Sequence, residues 1–441
     1  MAEVEITRLD TVADAGGELL GSAVQPPVSS SPFSLKLAGW ALGPQGPPRG
    51  IRIVAAEPLG EGRTLRRVIT TTAPNAPRPD VAERFPDLKG ARACGFVTSC
   101  SLVGLPREFN LRVEARFEGA PRVAIARIEG RRPPLRSGYQ PRFQPILLKT
   151  LGRAGSTWMT QVVGAHPQAV AYRPFDFEPR LLDYWLEIVR VLSQPHAYAQ
   201  TIDPDVRERA WWEGRARWHG PLSLASEPAV ERWVETESIE ELAAFAQMRV
   251  DAFYGKVAES QEKPAATRFI ERVHEWHEEI LAHELYERAR TIFLVRVMRD
   301  LLASRLAFNR KTGEPMFGYD RADSPEHYVH GWMRGEVDEW MESWRQAKDP
   351  FLVRYEDLML RPEDTLREVF AHAELDSSAD AVAATLDLAR ARRPERQARH
   401  MTSAGDAGSI GRWRDDLSPE LQEACREAFG EALAALGYEA G

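Results

Sequence analysis

The stretch Ile146-Leu-Leu-Lys-Thr-Leu-Gly-Arg-Ala-Gly-Ser-Thr-Trp-Met-Thr-Gln-Val-Val-Gly164 constrains the fold more than any other part of the chain. A short apolar run breaks at Gly152-Arg153-Ala154-Gly155-Ser156-Thr157-Trp158 and resumes with helical spacing. A continuous apolar run suits a strand buried on both faces, which occurs in parallel sheets covered by helices. The glycines let the backbone turn tightly and approach a ligand. Ser156 and Thr157 can cap the helix, whose first N–H groups and dipole then face an anion. Arg153 adds a permanent positive charge. The pattern Gly-x-x-x-x-Gly-Lys-Ser/Thr is absent, so this is not the usual ATP-binding loop.

Two further apolar runs, Thr291–Val297 and Pro350–Leu358, alternate with helical patterns after Gln144. This predicts an α/β domain over residues 145–441, a phosphate-loop-like parallel sheet flanked by helices. Residues 181–263 read as an inserted helical cap rich in tryptophan, including Trp185, Trp211, Trp212, Trp218 and Trp233. Their expected role is core packing, with a share available to line an acceptor cleft.

Upstream the period is two. In FNLRVEARF the apolar residues Phe109, Leu111, Val113, Ala115 and Phe117 alternate with Asn110, Arg112, Glu114 and Arg116. Similar runs at FSLKLAGWAL, GIRIVAA, TLRRVITTT, GFVTSCSL and RVAIARI predict a smaller all-β sandwich over residues 31–132. Residues 1–30 read as a flexible lead-in, and residues 133–144 as a linker.

The chain has 441 residues, which favours two domains. Its net charge of −8 argues against general nucleic-acid binding, so any anion must be gripped by a local basic cluster. No signal-peptide pattern or apolar run of membrane-spanning length is present. Three cysteines, Cys94, Cys100 and Cys425, are too few for a disulfide framework and fit a reducing cytoplasm. His274, His277 and His283 do not form His-Glu-x-x-His, so a solvent-side helical cluster is expected for the last two, with no metal site.

The loop resembles the 5′-phosphosulfate loop of the sulfotransferases that use 3′-phosphoadenosine 5′-phosphosulfate (PAPS). That resemblance implies Arg153 at the phosphosulfate bridge, with Ala154, Gly155, Ser156 and Thr157 around the 5′-phosphate and Trp158 against adenine. TIFLVRVMRDLLASRLAF resembles the family's 3′-phosphate element, which implies that Arg296 and Ser304 share that phosphate. Here Arg296-Val297-Met298 replaces the family's frequent Arg-Asp-Pro, and Arg299 is a possible auxiliary ligand. Tyr355, in a stretch resembling the family's Tyr-Glu-Asp-Leu strand end, would contact adenine, while Glu356 and Asp357 cap a helix or hold loops. GSIGRWRDDLS resembles the mobile loop that closes on the 3′-phosphate, placing Gly408, Ser409 and Ile410 there. Asp406-Ala407 replaces a basic pair, for which Arg412 or Arg414 would compensate.

The implied reaction is transfer of a sulfuryl group from PAPS to a hydroxyl, with PAP (adenosine 3′,5′-bisphosphate) as product and no metal. It requires a base and cationic stabilisation of the leaving oxygen. His274, 22 residues before Arg296, resembles the base of cytosolic sulfotransferases, with Arg272 helping the leaving group. Glu178 or Asp176 in YRPFDFEPR resembles the carboxylate base of glycan sulfotransferases. Both remain candidates. The N-terminal domain resembles a β-sandwich module found beside bacterial glycan-modifying transferases, implying a carbohydrate or glycoconjugate acceptor, or else a scaffold that orients or dimerises the enzyme. The competing classes are a kinase-like nucleotide-dependent transferase, against which the missing loop Lys counts, and a non-catalytic binding protein with a degenerate donor site.

Overall fold

The computed structural model describes residues 4–12, 17–60, 63–172, 180–193, 228–273, 276–347, 349–392, 402 and 407–438. The chain forms two compact units, Met1–Gln140 with Trp185–Gln247, and Pro141–Tyr184 with Met248–Gly441. Part of the stretch expected to cap the second domain, residues 185–247, thus groups with the N-terminal strands. Trp211, Trp212 and Trp218 lie outside the described residues, whereas Trp185 packs edge-to-face on Phe245, with ring centroids 5.6 Å apart.

The first unit carries two antiparallel sheets. One is ordered β1 (Glu5–Thr11), β9 (Arg122–Arg131), β8 (Glu108–Arg116), β5 (Gly50–Gly60), β6 (Arg63–Thr72). In the other, β2 (Gly21–Val24), β3 (Val28–Ser31) and β7 (Gly95–Ser101) all pair with β4 (Ser34–Leu42). The alternation in β8 is realised: Phe109, Leu111, Val113 and Ala115 are buried. Glu114, on the polar side of that pattern, is also buried, and its carboxylate accepts from Arg52 Nε at 2.8 Å. The expectation of a flexible lead-in is corrected, because β1 pairs antiparallel with β9, and β2 with β4. Backbone pairing to strands distant in sequence holds this segment, although its own side chains are mostly exposed or half-buried.

The second unit is built on a five-stranded parallel sheet ordered β11 (Ala169–Val170), β12 (Arg268–Val273), β10 (Gln144–Thr150), β13 (Arg290–Val295), β14 (Phe351–Arg354). The central strand β10 is flanked in register by β12 and β13. Burial on both faces explains its unbroken apolar run: Ile146, Leu147 and Leu148 are inaccessible. Successive residues of β13 feed different cores, as strand geometry requires. Ile292 and Leu294 join Trp158, Met159, Leu366 and Leu386; Phe293 and Val295 join Leu302, Val337, Trp340 and Phe429. Two helical layers are therefore fixed on one sheet, and the loops leaving the carboxyl ends of β10, β13 and β14 emerge beside one another, where parallel α/β sheets bind ligands.

A buried lysine secures the turn after the helix Ser156–Val163. Lys263 Nζ donates to the carbonyls of Gly164, His166 and Ala169 at 2.6, 2.7 and 2.8 Å. In the helix Trp276–Leu285, His277 is buried, against the solvent-side expectation, and His283 Nε2 lies 2.8 Å from Thr291 Oγ1. No helix among the described residues is long and apolar enough to cross a membrane.

Candidate active site

Strand β10 ends at Thr150, and the helix Ser156–Val163 begins after five intervening residues. Two left-handed residues, on either side of Ala154, make so short a turn possible: Arg153 has φ +77° and Gly155, the N-cap, has φ +97°. A left-handed arginine is strained, and such strain clusters at ligand sites. The first turn of any helix leaves N–H groups without intrahelical acceptors, here those of Ser156 and Thr157. They emerge beside the Arg153 backbone, in a position to bind an anion.

The loop is packed on its outer side by Tyr355, the first residue of the helix following β14. A Cβ at Gly155 would stand 2.4 Å from Tyr355 Cδ2, so the ring lies directly against the loop backbone. The opposite face of the turn meets Phe317, 2.9 Å from where a Cβ at Gly152 would be.

Three basic side chains converge here. Arg153 Nε reaches Ser304 Oγ at 3.4 Å, with its guanidinium 4.6 Å from the Phe308 ring. Arg296 is 4% exposed; its Nη1 donates to the Arg153 carbonyl at 3.3 Å, its Nη2 donates to the Ser409 carbonyl, and its guanidinium lies 4.8 Å from the Tyr355 ring. Arg305 Nε donates to the Gly152 carbonyl at 3.1 Å, and its Nη1 to Tyr328 and Glu336. Tyr355 Oη and Ser409 Oγ are 2.9 Å apart. Arg153, Gly155, Arg296, Ser304, Tyr355 and Ser409 thus form one contact network.

The electrostatics of Arg296 are unusual. No carboxylate among the described residues lies within ion-pair distance of it, and its Nε has no partner. Burial pushes its pKa down, against the opposing influence of Tyr355, Asp300 and Glu356. A buried cation without a paired anion is costly. An anionic ligand at Arg296 would supply the missing counter-charge, so the residues present fit a nucleotide phosphate.

Other expected residues fall differently. Ala154 and Trp158 are packed into the two hydrophobic cores. Ile410 is half-buried and Gly408 exposed. Arg272 is buried on β12, in register with Leu148. The Arg299 guanidinium sits 4.0 Å from the Trp413 ring. Arg412 is engaged by Asp416 and Thr402, and Arg414 lies over Trp413. Glu356 holds loops, accepting from Val297 N–H at 3.0 Å and Tyr438 Oη at 2.7 Å. His274, Asp176 and Glu178 lie outside the described residues.

Sequence reasoning missed Arg305, Asp300 and Phe317. Asp300 stands one helical turn before Ser304, a spacing that could have marked it. Arg305 and Phe317 carried no local signal, because their partners come from distant segments.

A helix-covered parallel sheet with a basic, hydroxyl-lined cluster around a strand–loop–helix turn defines an α/β protein whose site suits an anion. The model of the Sulfotransferase family matches residues 145–380, more than half of the chain, and the chain belongs to that family. Its chemistry is accordingly sulfuryl transfer. No curated protein matches the chain.

Proposed function

We propose that the chain moves a sulfuryl group from PAPS to the hydroxyl of a carbohydrate or glycoconjugate, releasing PAP. The observation that carries this reading is the buried Arg296, which has no carboxylate partner among the described residues and donates to the Arg153 and Ser409 carbonyls beside the N-terminus of the Ser156–Val163 helix. Two anion-binding positions separated by the Arg153 backbone suit a nucleotide with phosphates at both ends of its ribose. The Gly155, Ser156 and Thr157 N–H groups and hydroxyls hold the 5′ side; Arg296, Ser304 and Ser409 hold the 3′ side. Tyr355 braces both, through its contact with Gly155 and its hydroxyl on Ser409.

When bound, PAPS supplies an activated sulfuryl group. The acceptor oxygen forms a bond to sulfur as the bond to the bridging phosphate oxygen breaks, and the hydroxyl proton passes to a base. Arg153, and Arg272 from the neighbouring strand, stabilise charge on the departing oxygen. His274 is our first choice for the base, with Glu178 or Asp176 as the alternative. The acceptor class rests on the resemblance of the N-terminal module.

Thermal denaturation with PAP, with ATP plus Mg²⁺ and with GTP tests the donor. At 100-fold excess over its Kd, PAP should stabilise the protein by about 2.7 kcal/mol. A shift with ATP plus Mg²⁺ and none with PAP would sink the proposal. Once an acceptor is found, His274→Ala and Glu178→Ala decide the base, since full activity in either variant removes that residue.

A further inference from the structure

The helix Met298–Thr312 presents two residues one turn apart, Asp300 and Ser304, toward the same end of the site. Asp300 is 1% exposed and forms no ion pair with a basic side chain among the described residues. Its two carboxylate oxygens are used on backbone: Oδ2 accepts from Gly411 N–H at 2.7 Å, and Oδ1 from Trp413 N–H at 3.0 Å. Arg299, its neighbour, lies over the Trp413 ring. Gly411 has φ +75°, the left-handed turn that accompanies its amide's approach to Asp300.

The segment gripped in this way is the one that carries Ser409. The Ser409 carbonyl accepts from Arg296 Nη2, and its hydroxyl meets Tyr355 Oη. A buried carboxylate close to Arg296 is an odd choice near an anion site, because it repels the ligand's charge. Its retention needs a compensating role, and the two charge-assisted bonds to N–H groups identify one.

We infer that Asp300 is a positioning residue: it pins residues 408–413 across Arg296 and completes the half of the site that receives the 3′-phosphate. The inference rests on the PAPS reading for the identity of that phosphate. Asp300 touches no nucleotide in this scheme; it acts through Ser409 and the loop backbone. A purely structural Asp300 would change stability and leave discrimination between nucleotides alone.

The test is Asp300→Asn, which keeps the shape but turns an amide N–H₂ toward one of the two backbone donors. Affinities for PAP and for adenosine 5′-phosphate, which lacks the 3′-phosphate, are measured by calorimetry, and amide exchange is followed over residues 408–413. PAP binding should weaken roughly tenfold or more, while adenosine 5′-phosphate changes by less than about threefold. Exchange at Gly411 and Trp413 should accelerate. Equal losses for the two nucleotides, or no loss, overturn the inference. Wild-type protein that binds PAP no better than adenosine 5′-phosphate would instead fail the donor reading; exchange then still judges the pin, with unchanged protection in the variant refuting it. Gly411→Ala guards against misfolding of the buried variant. It strains the left-handed turn from the loop side, where its Cβ meets only the mobile tip of Arg414, and should reproduce the selective loss of PAP.

Discussion

Replacing Gly155 by alanine tests the tightest contact in the site. Gly155 has φ +97° and ψ +15°, a conformation that costs a residue with a Cβ about 1–2 kcal/mol. The added methyl would stand 2.4 Å from Tyr355 Cδ2 and 2.7 Å from Cε2, well inside van der Waals contact. Tyr355 cannot swing away freely, since its hydroxyl meets Ser409 and its ring lies beside the Arg296 guanidinium. Overpacking of this kind adds about 1–3 kcal/mol. We therefore expect a loss of about 2–5 kcal/mol, which for a folding unit of this size lowers Tm by roughly 5–15 °C. Because the displaced ring also braces Ser409 and Arg296, PAP affinity should fall at least tenfold, or about 1.4 kcal/mol. Differential scanning fluorimetry and calorimetric titration measure the two effects. A variant within about 2 °C of wild type, with unchanged PAP affinity, would refute the packing of Tyr355 on the loop.

Two other substitutions probe parts of the unit away from the donor. Glu271 is fully buried on β12, where its carboxylate accepts from Leu182 N–H and Tyr254 Oη; burial, the largest influence, pushes its pKa up to about 8. A carboxyl whose folded pKa is raised destabilises as pH climbs from its unfolded pKa toward the folded one, at about 1.4 kcal/mol per unit. Asp183, raised chiefly by burial and then by Glu278 and Glu271, slopes the same way. Glu271→Gln should flatten the decline in urea midpoint between about pH 5 and 8, and a midpoint that tracks wild type throughout contradicts the assignment. Lys263→Met strands three buried carbonyls and should cost about 2–5 kcal/mol while leaving PAP affinity intact below the transition; a selective loss of PAP binding instead would mean that this lysine serves the site.

The sheets were legible wherever a strand's burial shows in its own side chains. β8 alternates, β10 carries the unbroken apolar run Ile146–Leu148, and both occur as expected. β1 was not legible, because Glu-Ile-Thr-Arg-Leu-Asp-Thr owes its place to backbone pairing with β9 rather than to a buried face. The phosphate loop was readable for the opposite reason: tight turns restrict residue type, so Gly155 and its neighbours declare the geometry. Arg296, Ser304 and Ser409 were singled out through resemblance, and the structure adds what no motif states, that Arg296 has no carboxylate partner among the described residues. Asp300 stayed hidden because its work is done on main-chain N–H groups, which leave no trace in side-chain patterns. Trp158, read from resemblance as a ligand contact, also packs in a core with Ile146 and Leu358.

The donor cluster joins Arg153 to Arg296 across 143 positions and Arg296 to Ser409 across a further 113. During synthesis the chain emerges from its N-terminus, and early elements can organise before later ones exist. β10 and its helix are therefore made long before the residues that complete the phosphate cradle. Until Ser409 and Gly411 leave the ribosome, Arg296 has the Arg153 carbonyl but neither the Ser409 carbonyl nor the loop that Asp300 holds. On the proposed reading, competence for the nucleotide is thus acquired late in translation, and a nascent chain arrested before this segment would carry the turn at Gly155 without a closed cradle.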